Sequence, residues 1–78
     1  MKTILITGIG GLTPCSIAKT IRKNHSDYKL IGCDIEKKAM GFFMKNLLDE
    51  YYISPRCTSP DYFSWMEKLV FEKNIDYA

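Results

Sequence analysis

The stretch Lys2–Ser16 constrains this chain most. Lys2-Thr3-Ile4-Leu5-Ile6-Thr7 is a short apolar run with β-branched residues, the composition of a strand buried on both faces. Gly8, Gly10 and Gly11 follow at once. Glycine admits positive φ and lets other groups approach the backbone closely. Thr13-Pro14 then reads as a helix opening, with Thr13 as N-cap and Pro14 at the first helical position, where a missing N–H is no loss. A strand that passes through glycines into a helix N-terminus forms a nest of N–H groups at the positive end of the helix dipole, suited to an anion.

The next segments continue the pattern. Pro14 to about Asn24 is expected to be helical, with Ile17, Ala18 and Ile21 as its apolar stripe. Lys19, Arg22 and Lys23 fall on its polar face, two of them in the last turn where cations complement the dipole. Asn24-His25-Ser26-Asp27 reads as a loop and Tyr28 to Asp34 as a second strand. Strand, helix and strand with short connections make a βαβ unit, so these strands are expected to be parallel with a right-handed crossover.

Ala39 to Leu48 admits two readings, one irregular helix containing Gly41 or a short helix and a loop. Tyr51 to Ser54 reads as a third strand, ended by Pro55. Ser59-Pro60 repeats the start signal of the first helix, and a helix is expected from there to about Asn74. Phe63, Met66, Leu69 and Val70 share one of its sides. Ile75-Asp76-Tyr77-Ala78 resembles the opening of a fourth strand, which in a doubly wound sheet lies beside the first, in the order 3-2-1-4. A bare apolar edge on the first strand is a liability, so the sequence implies the front part of a longer protein, its single domain incomplete at the C-terminal end.

Composition narrows the function classes. At 78 residues the chain makes one domain at most. A hydrophobic share of 46% with 26% charged residues fits a folded domain and not a disordered tail. A net charge of +2 from scattered basic residues gives no footprint for nucleic acid. No apolar run approaches the ~20 residues of a membrane span. The N-terminus has no cleavage pattern of a signal peptide. Cys15, Cys33 and Cys57 are odd in number and lack C-x-x-C spacing, so they read as reduced thiols of a cytoplasmic protein.

The glycine turn carries the candidate site. A dinucleotide fingerprint needs a third glycine, and from Gly8 that position is Thr13; in the T-G-x-x-G-x-x-G spacing it is Pro14. Neither register completes. What remains is a modest set of N–H groups from Gly10, Gly11 and Cys15, enough for one carboxylate or phosphate, or else a tight turn that needs glycine for its dihedrals alone. Asp34 lies about 20 residues past the turn, where a ribose-binding acid is expected, although aspartate at a strand end also serves as a turn or cap residue. Cys15 reads as a small packing residue, His25 as exposed, Tyr62, Phe63 and Trp65 as core and its margin, Phe42-Phe43-Met44 as core, and Asp49-Glu50 as solvated. No metal-ligand cluster and no nucleophile with a base are apparent. The candidate substrate- or anion-binding residues are therefore Gly8, Gly10, Gly11 and Asp34.

The order and spacing of Ile4-Leu5-Ile6-Thr7-Gly8-Ile9-Gly10-Gly11, Ile31-Gly32-Cys33-Asp34, Ala39-Met40-Gly41 and Leu48-Asp49-Glu50-Tyr51-Tyr52-Ile53-Ser54-Pro55 resemble the N-terminal domain of ATP-grasp enzymes, in the carbamoyl-phosphate-synthase-like or carboxylate–amine ligase group. Ser59-Pro60-Asp61-Tyr62 and Asn74-Ile75-Asp76 fit the same pattern. The resemblance implies an α/β fold, a Rossmann-like parallel sheet of three strands and the start of a fourth with flanking helices. It implies a pre-ATP-grasp domain whose glycine turn faces the acceptor-substrate side of a cleft, with Gly8, Gly10, Gly11 and Asp34 as the residues there. It also implies ATP and magnesium bound by later lobes, no cofactor in this segment alone, and ATP-dependent ligation of a carboxylate to an amine by the parent protein. The partners expected are a small carboxylate or amine substrate and the rest of the parent chain, without nucleic acid or membrane. Two other readings compete: an NAD(P)-binding domain of a dehydrogenase or epimerase, and a small non-catalytic module that forms a homodimer through its strand edge.

Overall fold

The computed structural model describes residues 2–25, 27–44 and 46–78. The chain folds as β1 (Thr3–Thr7), α1 (Leu12–Asn24), β2 (Lys29–Asp34), a single 3₁₀ turn (Met40–Phe43), β3 (Glu50–Ile53) and α2 (Tyr62–Glu72). The strands form a parallel sheet in the order β1-β2-β3. Leu5 lies opposite Ile31 and Ile31 opposite Glu50. On the other edge of β1, Tyr77 makes an isolated parallel bridge with Ile4. The expected fourth strand is thus represented by one bridge, in the expected place. The α/β architecture is the expected one.

Alternation along the strands divides the core in two, because successive side chains leave opposite faces of a sheet. Ile6 and Leu30 point to a cluster with Ile9, Cys15, Ala18, Ala39 and Leu47, under α1 and the 3₁₀ turn. Leu5, Ile31 and Cys33 point to the other face and meet Leu69 of α2, with Trp65, Met66 and Ile75 around them. Helices on both faces explain why the strands read as continuous apolar runs.

Several local expectations change. Helix α1 begins at Leu12 with Gly11 as N-cap (φ −84°, ψ 158°), so Thr13 and Pro14 lie inside the first turn instead of opening it. Proline is tolerated there because the first-turn N–H groups have no intrahelical acceptor. Helix α2 begins at Tyr62, past Ser59-Pro60. The Ser59 hydroxyl accepts from the Asp61 N–H at 3.2 Å, so the serine organises the turn before the helix. The helix closes with Asn74 at φ 53° and the Ile75 N–H donating to Val70 O, a left-handed C-terminal cap. Ala39–Leu48 resolves as the 3₁₀ turn and a loop. Phe42 packs on the core and stacks on Tyr51, whereas Phe43 is exposed. Phe63, expected near the core, is 77% exposed, and Ile17 of the α1 stripe is half exposed. Ser26, in the expected loop, and Lys45 lie outside the described residues.

The largest correction is at the amino ends of the strands. Asp49, exposed as expected, and Glu50, which is half-buried, both hold this end together through their partners. The Asp49 carboxylate accepts from the Leu30 N–H at 2.8 Å and pairs with Arg22 at 3.0 Å. Burial opposes its ionisation, but these two donors outweigh it and lower its pKa. Arg22 also donates to Leu47 O at 2.8 Å and to Tyr28 O at 3.1 Å, tying α1 to the entries of β2 and β3. Glu50 pairs with Lys29 at 2.6 Å and Lys73 at 2.9 Å and accepts from the Tyr52 hydroxyl. Its pKa falls to about 2, with Lys29 the largest cause, then Tyr52 and Lys73. The Tyr52 oxygen and then Glu50 push the Lys73 ammonium above its ordinary range. The Asp76 carboxylate accepts from the Thr3 N–H at 2.8 Å, doing at β1 what Asp49 does at β2.

Candidate functional site

The glycine turn at the carboxyl end of β1 is closed on itself. Gly8 takes φ 65°, a left-handed conformation that side chains other than glycine's rarely adopt. This folds the chain back so that the Gly11 N–H donates to Gly8 O at 2.9 Å. The Gly10 N–H donates to Asp34 Oδ2 at 2.8 Å, and the Cys15 N–H to Gly11 O at 3.2 Å. All three donors expected to form an anion nest therefore have protein acceptors. Gly10 is glycine for a packing reason: a Cβ there would stand 3.0 Å from Asp34 Oδ2 and 3.1 Å from the Ala39 Cβ.

Asp34 is the other half of this closure. Its Oδ1 accepts from the Glu36 N–H at 2.9 Å, a turn hydrogen bond two residues on, while Oδ2 holds Gly10. One carboxylate thereby fixes both the β1–α1 and the post-β2 corners. Cys15 is buried, and its thiol donates to Ile9 O at 2.8 Å. His25 is exposed and stacks on Tyr28.

Beside this corner lies a cavity of about 500 Å³, lined by Thr7, Gly8, Cys33, Asp34 and the residues from Ser54 to Thr58, with Tyr62 at the head of α2. It sits at the carboxyl ends of the three strands, where open α/β sheets bind ligands. Of the four residues expected at a site, Gly8 and Asp34 line it; Gly10 and Gly11 are not among its lining residues.

The segment after β3 is what sequence reading missed. The Ser54 N–H donates to Asp34 O at 2.9 Å, extending the parallel ladder by one residue and carrying the chain over the cavity. Ser54 is only 9% exposed, yet its hydroxyl makes no hydrogen bond among the described residues. Arg56 is exposed, and its guanidinium forms no ion pair or hydrogen bond among them. The available signal was positional: polar residues directly after a strand end in a parallel sheet.

The Cys33 thiol is pushed up to about 11, first by burial and then by the Asp34 charge, so it stays protonated at neutral pH. Among the described residues no group of three or more His, Cys, Asp or Glu side chains is placed to hold a metal ion. No helix among them is long and apolar enough to cross a membrane. Comparison with family models, with curated proteins and with solved structures found no match to the chain.

Proposed function

We propose that this chain is the substrate-side domain of a cytoplasmic ATP-dependent ligase of the ATP-grasp type. The observation that carries the reading is the cavity at the strand carboxyl ends, bounded by Gly8 and Asp34, next to a glycine turn whose Gly10 and Gly11 donors are already engaged. A dinucleotide needs turn N–H groups free for its pyrophosphate. A small carboxylate or amine substrate needs only a pocket with a few directed polar groups.

In this reading, other lobes of the parent protein hold ATP and magnesium, which together supply the phosphoryl group. Bound there, they would supply the activation of a carboxylate for its ligation to an amine, with ADP, inorganic phosphate and a proton released. The residues of this chain bind and orient one of the two substrates, and the chain alone turns nothing over. The test is ADP release by the full-length protein across a panel of carboxylates and amines. The expected result is release that requires both partners; NADH binding with hydride transfer would overturn the reading.

A further inference from the structure

We propose that Ser54 and Arg56 form the anion-recognition half of this cavity, taking a single carboxylate or phosphate group of a small ligand. The proposal rests on the reading of this cavity as a substrate site, and it moves the anion from the glycine turn to the segment after β3.

Three observations support it. First, the turn donors on Gly10, Gly11 and Cys15 have protein acceptors, so an anion there would have to displace Asp34 or break the turn. Second, Ser54 is nine-tenths buried and lines the cavity with a hydroxyl that has no hydrogen-bond partner among the described residues. Among those residues no side-chain N or O atom is both sealed from solvent and unpartnered, so the Ser54 oxygen reaches open space, and the cavity is the space it lines. A hydroxyl that opens onto a cavity from an otherwise buried residue is free to donate to, or accept from, a ligand placed there. Third, Arg56 lines the same cavity without a carboxylate of its own. The contrast with Arg22, which has four protein contacts, shows how this fold treats an arginine it needs for structure. A guanidinium fork matches two oxygens of a carboxylate or phosphate at once.

Asp34 sets the limit on ligand charge. It also lines the cavity, and its carboxylate remains an acceptor with lone pairs beyond the two backbone bonds. An anionic group is therefore favoured at the Arg56 wall and disfavoured at the Asp34 wall. A ligand with one anionic end and a neutral or cationic remainder fits; one with anions at both ends does not.

The test is an amide-resolved NMR titration of the ¹⁵N-labelled chain with inorganic phosphate and, separately, acetate, with chloride holding ionic strength constant. At least one of the two is expected to give saturable shifts at Gly8, Ser54 and Thr58. Arg56→Ala should weaken that binding at least tenfold, Arg56→Lys less, and Ser54→Ala about threefold. Lys19→Ala, an exposed charge on α1, should leave it within twofold. Saturation by phosphate alone identifies a phosphorylated ligand, and by acetate alone a carboxylate; either supports the proposal. Absence of saturation by both, shifts confined to the α1 N-terminus at Leu12 and Thr13, or unchanged binding in a well-dispersed Arg56→Ala spectrum overturns it. An unchanged affinity in Ser54→Ala overturns the serine's part. The titration involves no ATP, so binding that depends on Arg56 in a protein without ligase activity would sink the ligase reading and leave this one standing.

Discussion

The two ends of the sheet use similar residues in opposite ways. At the amino ends of the strands, Arg22, Lys29 and Lys73 are matched to Asp49 and Glu50, and Asp76 binds the Thr3 N–H. At the carboxyl ends, Asp34 is likewise occupied by backbone N–H groups, but Arg56 and the Ser54 hydroxyl face a cavity with no partner among the described residues. Charge closed on itself fixes register and helix placement. Polar groups left open beside a cavity still have a contact to make. The difference separates the end that builds the fold from the end available to a ligand.

The largest effect is expected at Arg22. Arg22→Ala removes donors to two carbonyls and the partner of Asp49, and should cost about 2–3 kcal/mol in thermal or urea unfolding. A change below about 0.5 kcal/mol would show that the amino end is not a clamp. Asp34→Ala comes next, at about 1–2 kcal/mol, because it leaves the Gly10 N–H without its acceptor. It should also raise amide exchange at Gly10 more than at Gly11, whose acceptor is Gly8 O.

Acid should loosen the amino end of the sheet. Glu50 is held near 2 in the folded state against 4.5 unfolded, so its contribution is complete above pH 4.5 and is lost as pH falls toward 2. The carboxylate is partly open to solvent, and the loss should be about 1 kcal/mol. Glu50→Gln should flatten the stability profile between pH 4.5 and 2; an unaltered acid limb would mean the lysine pairs contribute nothing. The smallest effect is expected at the open end. Arg56→Ala should alter stability by less than about 0.5 kcal/mol while weakening anion-dependent stabilisation. A larger intrinsic loss would place Arg56 among the structural residues, with Arg22.

The contrast also explains what could be read from the sequence. The strand–glycine–helix order fixed the parallel sheet, because an apolar run, a positive-φ residue and a helix start leave few topologies. Gly8 and Asp34 were legible as residues at strand ends. That Asp34 would engage Gly10 was not, since nothing in a sequence says which residue across a crossover will supply an acceptor. The partners of Asp49 and Glu50 were hidden for the same reason: adjacent acids show no pairing until Arg22, Lys29 and Lys73 are brought to them from other elements. Thr13-Pro14 misled because Gly11 can cap α1 by backbone alone. Arg56 carried no motif at all; its meaning lies in the cavity it borders and the partner it lacks.

The most direct test is a crystal structure of the chain grown with whichever of phosphate or acetate saturates in solution. The anion is expected against the Arg56 guanidinium and the Ser54 hydroxyl, with the Gly10 N–H still donating to Asp34. An anion seated on the Gly10 and Gly11 N–H groups, with Asp34 swung away, would contradict it.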